Sequence, residues 1–312
     1  MKVFIVGHKG WIGQMYIKLF EQNNIEWTYS DNRGESDEIL TDIVNSGCTH
    51  VLCVMGRTHG NLNGVQFNTI DYLQHNETLH QNINDNLFVP LRLGLFLRSY
   101  PNIHLTYIGT GCIYSYDDNH IENTETPIGD EDKPNFFGSN YSIVKGFTNE
   151  LLKFTNTLTL KIRMPITSEN NPRNFITKIT KYEKICSISN SMTVLDELIP
   201  ISLDMMKKRK IGMYNFTNPG YISHNEILQM YKMIVDPNFT WKNFTLEEQD
   251  KVLVTNNAQP GQESLLRFTS EQKEFAANWF KTEANLKDNA LVFKYMLEQK
   301  LKDAKTDDFK EA

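Results

Sequence analysis

The sequence predicts an α/β protein, a doubly wound parallel sheet over residues 1–163 followed by a smaller lobe over 164–312. Three observations carry that prediction. Short apolar runs rich in β-branched residues alternate with segments of helical period, three glycines punctuate the first strand-to-helix junction, and the alternation lapses after Pro165. Beyond it polar stretches such as "TSENNPRNF" and "DPNFTWKNF" take over.

Taken in order, "KVFIVG" is a strand that runs into "GHKGWIGQMYIKLFEQNN", whose Met15, Leu19 and Phe20 recur at helical spacing. "IEWTYS" is a second strand, with a helix near 35–46. "HVLCVMG" is a third, with a long helical segment from about 71 to 98; "IHLTYIGTG" precedes a helix over about 139–156, and "TLTLKIRM" closes the series. Strands that alternate with helices form βαβ units, which need a parallel sheet covered on both faces. The division after 163 leaves room for later segments to return to that sheet. The tail "LKDAKTDDFKEA" is charged and reads as solvated.

A chain of 312 residues with 40% hydrophobic and 22% charged residues can bury a sizeable core. Its net charge of -6 provides no electrostatic footprint for nucleic acid or an acidic membrane, and the longest basic cluster, "KKRK" at 207–210, reads as a solvated helix end. No apolar run approaches the roughly 20 residues that span a bilayer, and the first strand begins after a single lysine. A cytoplasmic protein with no nucleic-acid or membrane partner is expected. Cys48, Cys53, Cys112 and Cys186 lack CxxC or metal-ligand spacing, so thiols in a reducing compartment are expected, and no metal.

The first motif with chemistry is "GHKGWIG". Gly7, Gly10 and Gly13 at the end of a strand permit a tight turn, so that a pyrophosphate can sit on N–H groups at the start of the helix, where Trp11 and Ile12 lie. Asp31 and Arg33 follow the second strand. An acid there would hold the ribose 2′-OH of NAD and an arginine the 2′-phosphate of NADP; Arg33 favours NADPH, and Asp31 leaves NADH open. The second motif is "YSIVK". Tyr141 and Lys145, four apart, share one helix face, so the ammonium can lower the phenol's pKa and let it exchange a proton with a carbonyl oxygen. Thr110, at the end of a central strand, can donate a second hydrogen bond to the same oxygen. His8, His59 and His104 read as structural.

Together these motifs resemble the extended short-chain dehydrogenase/reductase group, which implies a Rossmann-type fold with a smaller C-terminal substrate-binding lobe. The runs "GWIG", "TGCIYSYD", "PNFFGSNYS", "RMPIT", "NPRNFITKITKYEK", "NSMTVLDELIPIS" and "NFTNPGYISHNEILQMY" further resemble the bifunctional UDP-4-keto-6-deoxy-glucose 3,5-epimerase/4-reductases of plants and some large DNA viruses. The resemblance implies NADPH-dependent epimerisation at C3 and C5, then reduction at C4, to UDP-β-L-rhamnose. Related 4,6-dehydratases carry an acid pair where this chain has Gly111 and Cys112, so the 4-keto sugar is expected from a separate dehydratase. Cys112 is then implied as the base that removes the C3 and C5 hydrogens, and Lys178 as the opposing proton donor; by position alone Lys181 or Lys184 would serve equally. Asn82 is implied as the active-site asparagine, with Asn76 and Asn84 as neighbours in sequence, and Arg163 and Asn174 as contacts to the nucleotide-sugar. A reductase without epimerase activity and a non-catalytic nucleotide-binding subunit stay open. So does a homodimer.

Overall fold

The five short apolar runs, and a sixth segment at Gly212–Asn215 that the sequence does not single out, become parallel strands in the computed structural model, which describes residues 1–114, 128–187, 189–245 and 248. They are β1 (Lys2–Val6), β2 (Glu26–Thr28), β3 (His50–Cys53), β4 (His104–Thr110), β5 (Thr157–Ile162) and β6 (Gly212–Asn215), in the spatial order β2–β1–β3–β4–β5–β6. The chain leaves β1 for one side of the sheet and then crosses to the other. That switch opens a crevice beside the C-terminal end of β1, where α/β sheets bind their ligands. The charged tail lies outside the described residues.

Helices α1 (Trp11–Gln22) and α2 (Asp37–Asn45) follow β1 and β2. The buried face of α1 is Gly13, Tyr16, Ile17 and Phe20, whereas Met15 and Leu19 are only half-buried. Gly13 sets that rotation: a Cβ there would come within 2.6 Å of the Gly7 carbonyl oxygen, so the helix lies against the turn that starts it. Phe4, Val6, Ile39, Ile43, Val51 and Leu93 pack the core beneath.

The segment expected as one helix from 71 to 98 is broken. After two 3-10 turns, a short α-helical piece, Leu79–Ile83, passes into a π-helical turn, Asn84–Phe88, before α3 (Val89–Leu97). Pro90 supplies the reason. It has no N–H to donate to the carbonyl four residues back, so the Asn86 carbonyl is freed and the turn widens. The hydroxyl of Thr148, on α4 (Asn140–Leu152), donates to that carbonyl at 2.6 Å.

Two compact units result. The first comprises Met1–Ile113, Lys133–Lys161 and Ile199–Asn215; the second includes Ile162–Leu198 and the described residues from Phe216 onward. A single cut after 163 therefore misses residues 199–215, which join the first unit. Within that unit, β6 pairs with β5, His50 Nε2 meets the Met206 carbonyl at 3.1 Å and His104 Nε2 the Lys210 carbonyl at 2.6 Å. The 207–210 cluster is exposed. The second unit is built around Ile166, Ile176, Ile179, Ile185, Ile222 and Leu228, with helices α5 (Phe175–Ile179) and α7 (His224–Ile234) and three two-residue strand pairings. Helix α6 (Leu195–Lys207) precedes β6. Among the described residues, no helix is long and apolar enough to cross a membrane.

The returning segment is held to α1 by a buried hydrogen bond of 2.6 Å between Tyr16 and Ser202. The Ser202 hydroxyl also reaches the Ile199 carbonyl at 2.6 Å, so the serine donates there and accepts from the phenol. Replacing Ser202 with alanine strands a buried phenol, at about 1–3 kcal/mol. Urea unfolding followed by tryptophan fluorescence should show the unfolding free energy fall by that amount, whereas Lys208→Ala, at an exposed pair, should leave it in place.

Candidate active site

The glycine turn is a cradle. Gly7 holds φ of +96°, which favours glycine, and a Cβ on it would come within 3.0 Å of the Met55 backbone nitrogen. No side chain caps α1 at Gly10, so its first N–H groups are open to an anion. Beside them lies a cleft of about 210 Å³ lined by Gly7, His8, Lys9, Gly10, Asp31 and Asn32. Both candidate cofactor-selecting residues are exposed: Asp31 faces Lys9 at 3.6 Å and Arg33 pairs with Glu35 at 2.5 Å. These residues fit a dinucleotide, with Lys9 partly cancelling the charge of Asp31.

The second constellation gathers where β4 ends and α4 begins. Ser139 caps α4 by accepting the Ser142 N–H, which sets Tyr141 and Lys145 one turn apart on its buried face. Thr110 ends β4 beside the Tyr141 phenol, whose pKa its side chain lowers. Its Oγ1 also accepts the Cys112 N–H at 3.2 Å. Cys112 is half-buried and packs against Tyr72, Leu73 and Tyr141, so hydroxyl, phenol and thiol converge.

Burial dominates the electrostatics. It raises the Tyr141 pKa, the negative form of Cys112 raises it further, and the Thr110 side chain opposes both. The expected lowering by Lys145 does not prevail, because desolvation of a fully enclosed phenolate outweighs an ammonium 5.9 Å from the ring centre. Burial also lowers the Lys145 pKa to about 8, against the raising influence of the Cys53 and Cys112 thiols. The Lys145 ammonium donates to the Tyr107 hydroxyl at 2.6 Å.

The other expected residues are distributed as follows. Asn82 is fully buried; its Oδ1 accepts from Asn86 at 2.9 Å and its Nδ2 has no partner. Asn76 is exposed and Asn84 bonds Asp85. Sequence reasoning missed Asn86. Its side chain clamps the Arg57 backbone through both N–H and carbonyl at 3.0 Å, and a Cβ on Gly56 would lie 3.2 Å from Lys145 Nζ and 3.3 Å from Asn86 Oδ1. Pro90, four residues on, was the available signal. In the second unit, buried Arg163 bonds Asn190 at 3.0 Å. Asn174 is a helix cap, not an open contact: its side chain accepts the Ile176 N–H and donates to the Thr167 and Glu169 carbonyls, each at 2.8 Å. It thereby starts the helix that carries Lys178, whose pKa is lowered by burial and by Arg173. Lys178 is half-buried, while Lys181 and Lys184 are exposed.

A parallel sheet with a glycine cradle after β1 and a hydroxyl, phenol and lysine around β4 and α4 defines an enzyme of the extended short-chain dehydrogenase/reductase kind. No family model matches the chain. A bifunctional dTDP-4-dehydrorhamnose 3,5-epimerase/dTDP-4-dehydrorhamnose reductase of Arabidopsis thaliana is 46% identical over 253 residues, 80% of this chain and 81% of the relative. The crystal structure of the L780 UDP-rhamnose synthase from Acanthamoeba polyphaga mimivirus superposes with a TM-score of 0.74 at 42% identity, covering 87% of this chain and 99% of that one. The chain also matches 38% of an Arabidopsis trifunctional UDP-glucose 4,6-dehydratase/UDP-4-keto-6-deoxy-D-glucose 3,5-epimerase/UDP-4-keto-L-rhamnose-reductase, at 44% identity. The chain belongs to the family of rhamnose-forming 3,5-epimerase/4-reductases.

The cradle makes Gly13 intolerant of a side chain, since a methyl group would force α1 off the Gly7 turn. Gly13→Ala should weaken NADPH binding by roughly 5- to 150-fold, the equivalent of 1–3 kcal/mol of overpacking. Quenching of NADPH fluorescence measures it, with Lys208→Ala, at an exposed pair, as the control.

Proposed function

We propose that this chain epimerises C3 and C5 of UDP-4-keto-6-deoxy-D-glucose and reduces C4 with NADPH, giving UDP-β-L-rhamnose in a cytoplasmic setting that keeps Cys112 reduced. The observation that carries the proposal is the meeting of Thr110, Cys112 and Tyr141 at the end of β4. Two hydrogen-bond donors and a thiol at one point suit a ketone flanked by acidic C–H bonds, since all three reacting carbons are contiguous. The family membership supports the same reading, and the relatives that join a dehydratase to this step support a dehydratase as the supplier of substrate.

Thr110 and Tyr141 hold the C4 oxygen and stabilise the enolate that forms when Cys112, as thiolate, takes the proton from C3 or C5. Lys178 is the residue that the family resemblance assigns as the proton donor that inverts the centre. Burial and the neighbouring Arg173 lower the pKa of its half-buried ammonium, which eases release of that proton. Bound NADPH supplies the hydride for C4. Tyr141 would protonate the C4 alkoxide, Lys145 would hold the cofactor's ribose hydroxyls, and Arg33 with Lys9 would hold its 2′-phosphate.

Incubating the pure protein with the 4-keto sugar in deuterated water tests the reading. Deuterium should enter C3 and C5 without NADPH, and the rhamnose nucleotide should appear with it. Cys112→Ala should abolish exchange yet still reduce the sugar slowly, and Tyr141→Phe should lose hydride transfer by on the order of 10²- to 10⁴-fold. Wild-type protein that exchanges neither hydrogen and reduces only a pre-epimerised sugar would be a reductase alone. A protein that does neither would be a nucleotide-binding subunit.

Cofactor choice is separately testable. Arg33→Ala should raise KM for NADPH by roughly 10- to 150-fold, the equivalent of losing a charge-assisted bond, and leave that for NADH nearly unchanged. Equal use of both cofactors by the wild type would put Asp31 in charge of the choice.

A further inference from the structure

Lys145 is an ammonium with 5% exposure, yet among the described residues no carboxylate pairs with it. A buried charge without a partner is costly, so whatever compensates it determines where it sits. The groups that face it are the Cys53 thiol from β3, the Tyr107 phenol from β4, Cys112 beyond the end of β4 and Tyr141 from its own helix. Only Tyr107 makes a close polar contact, the 2.6 Å bond, with the ammonium beyond the oxygen end of the ring and 4.9 Å from its centre. Tyr107 is itself 1% exposed and stands in register with fully buried Cys53, so neither can move aside. Burial raises the phenol's pKa, which keeps it a neutral acceptor.

We propose that Tyr107 is the positioning residue for Lys145, its oxygen taking one of the three ammonium N–H groups. Two donors then remain for the vicinal hydroxyls of the cofactor ribose. The inference rests on the role given to Lys145 above. A neutral oxygen that accepts from the ammonium favours the charged form, so removing it lowers the lysine's pKa further.

Tyr107→Phe keeps the ring and deletes the oxygen. In the cofactor-free protein, the Lys145 side-chain resonance, assigned with Lys145→Met, should titrate near pH 8 in the wild type and about one unit lower in the variant. In the full reaction KM for NADPH should rise about tenfold with kcat less affected, and the deficit should grow from pH 6.5 to 8.5 as the variant's lysine loses its proton first. An unchanged titration midpoint would overturn the proposal. Should Tyr107→Phe fail to fold, adding Lys145→Met removes the uncompensated charge and should restore folding; a double variant that stays unfolded would count against it equally. Tyr141→Phe separates the two layers. If that variant remains active the proposed acid–base chemistry fails, while the titration of Lys145 still decides the role of Tyr107.

Discussion

Enclosing one ammonium without a carboxylate is the constraint on which the first unit turns. Lys145 needs an acceptor from β4, room above Gly56 and a helix that holds its stem, and each of these comes from a different part of the chain. β3 and β4 are paired in register at Cys53 and Tyr107, so the floor under the lysine is a rigid piece of parallel sheet. A side chain at 56 would occupy the space that Lys145 Nζ and Asn86 Oδ1 share. The same burial that lowers the lysine's pKa raises that of Tyr141, which drives the two groups further apart in acidity than they are in water.

A proline far from the chemistry shapes the other wall. Pro90 cannot donate to Asn86, the turn widens, and the released carbonyl is taken by Thr148, two turns along the helix that bears Tyr141. The Asn86 side chain meanwhile grips the Arg57 backbone from both ends, and Asp85 holds the Arg57 guanidinium at 2.5 Å. One missing N–H thus ties the loop after β3 to α4. A helical period cannot reveal this, because the apolar spacing of 71–98 survives the insertion of a π turn.

Cys112 shows how packing and chemistry can coincide. It packs against the apolar cluster that contains Tyr72 and Leu73 as a core residue would, and its N–H rests on the hydroxyl of Thr110. The motif residues Gly7, Gly10, Gly13, Thr110, Tyr141 and Lys145 were legible because their chemistry is local to a turn, a strand end or one helix face. Asn86 and Tyr107 were not. Asn86 sits among other asparagines and is singled out only by a turn that a proline distorts; Tyr107 is one aromatic among many in an apolar strand, and its partner lies 38 residues away. Asn174 was assigned to the substrate by resemblance, yet its amide is fully engaged in starting a helix.

By itself the sequence determined the alternation of strands and helices, the parallel sheet, the glycine cradle and the hydroxyl, phenol and lysine, since each follows from periodicity or from short-range spacing. The tertiary structure decided what depends on contacts distant along the chain. It brought 199–215 back to the sheet, where Ser202 meets Tyr16, and it rotated α1 onto Gly13 rather than onto the apolar stripe of Met15 and Leu19. It also set the sign of the Tyr141 shift: spacing places a cation near the phenol, but only the packed interior determines how much water is excluded from both, and here exclusion outweighs attraction.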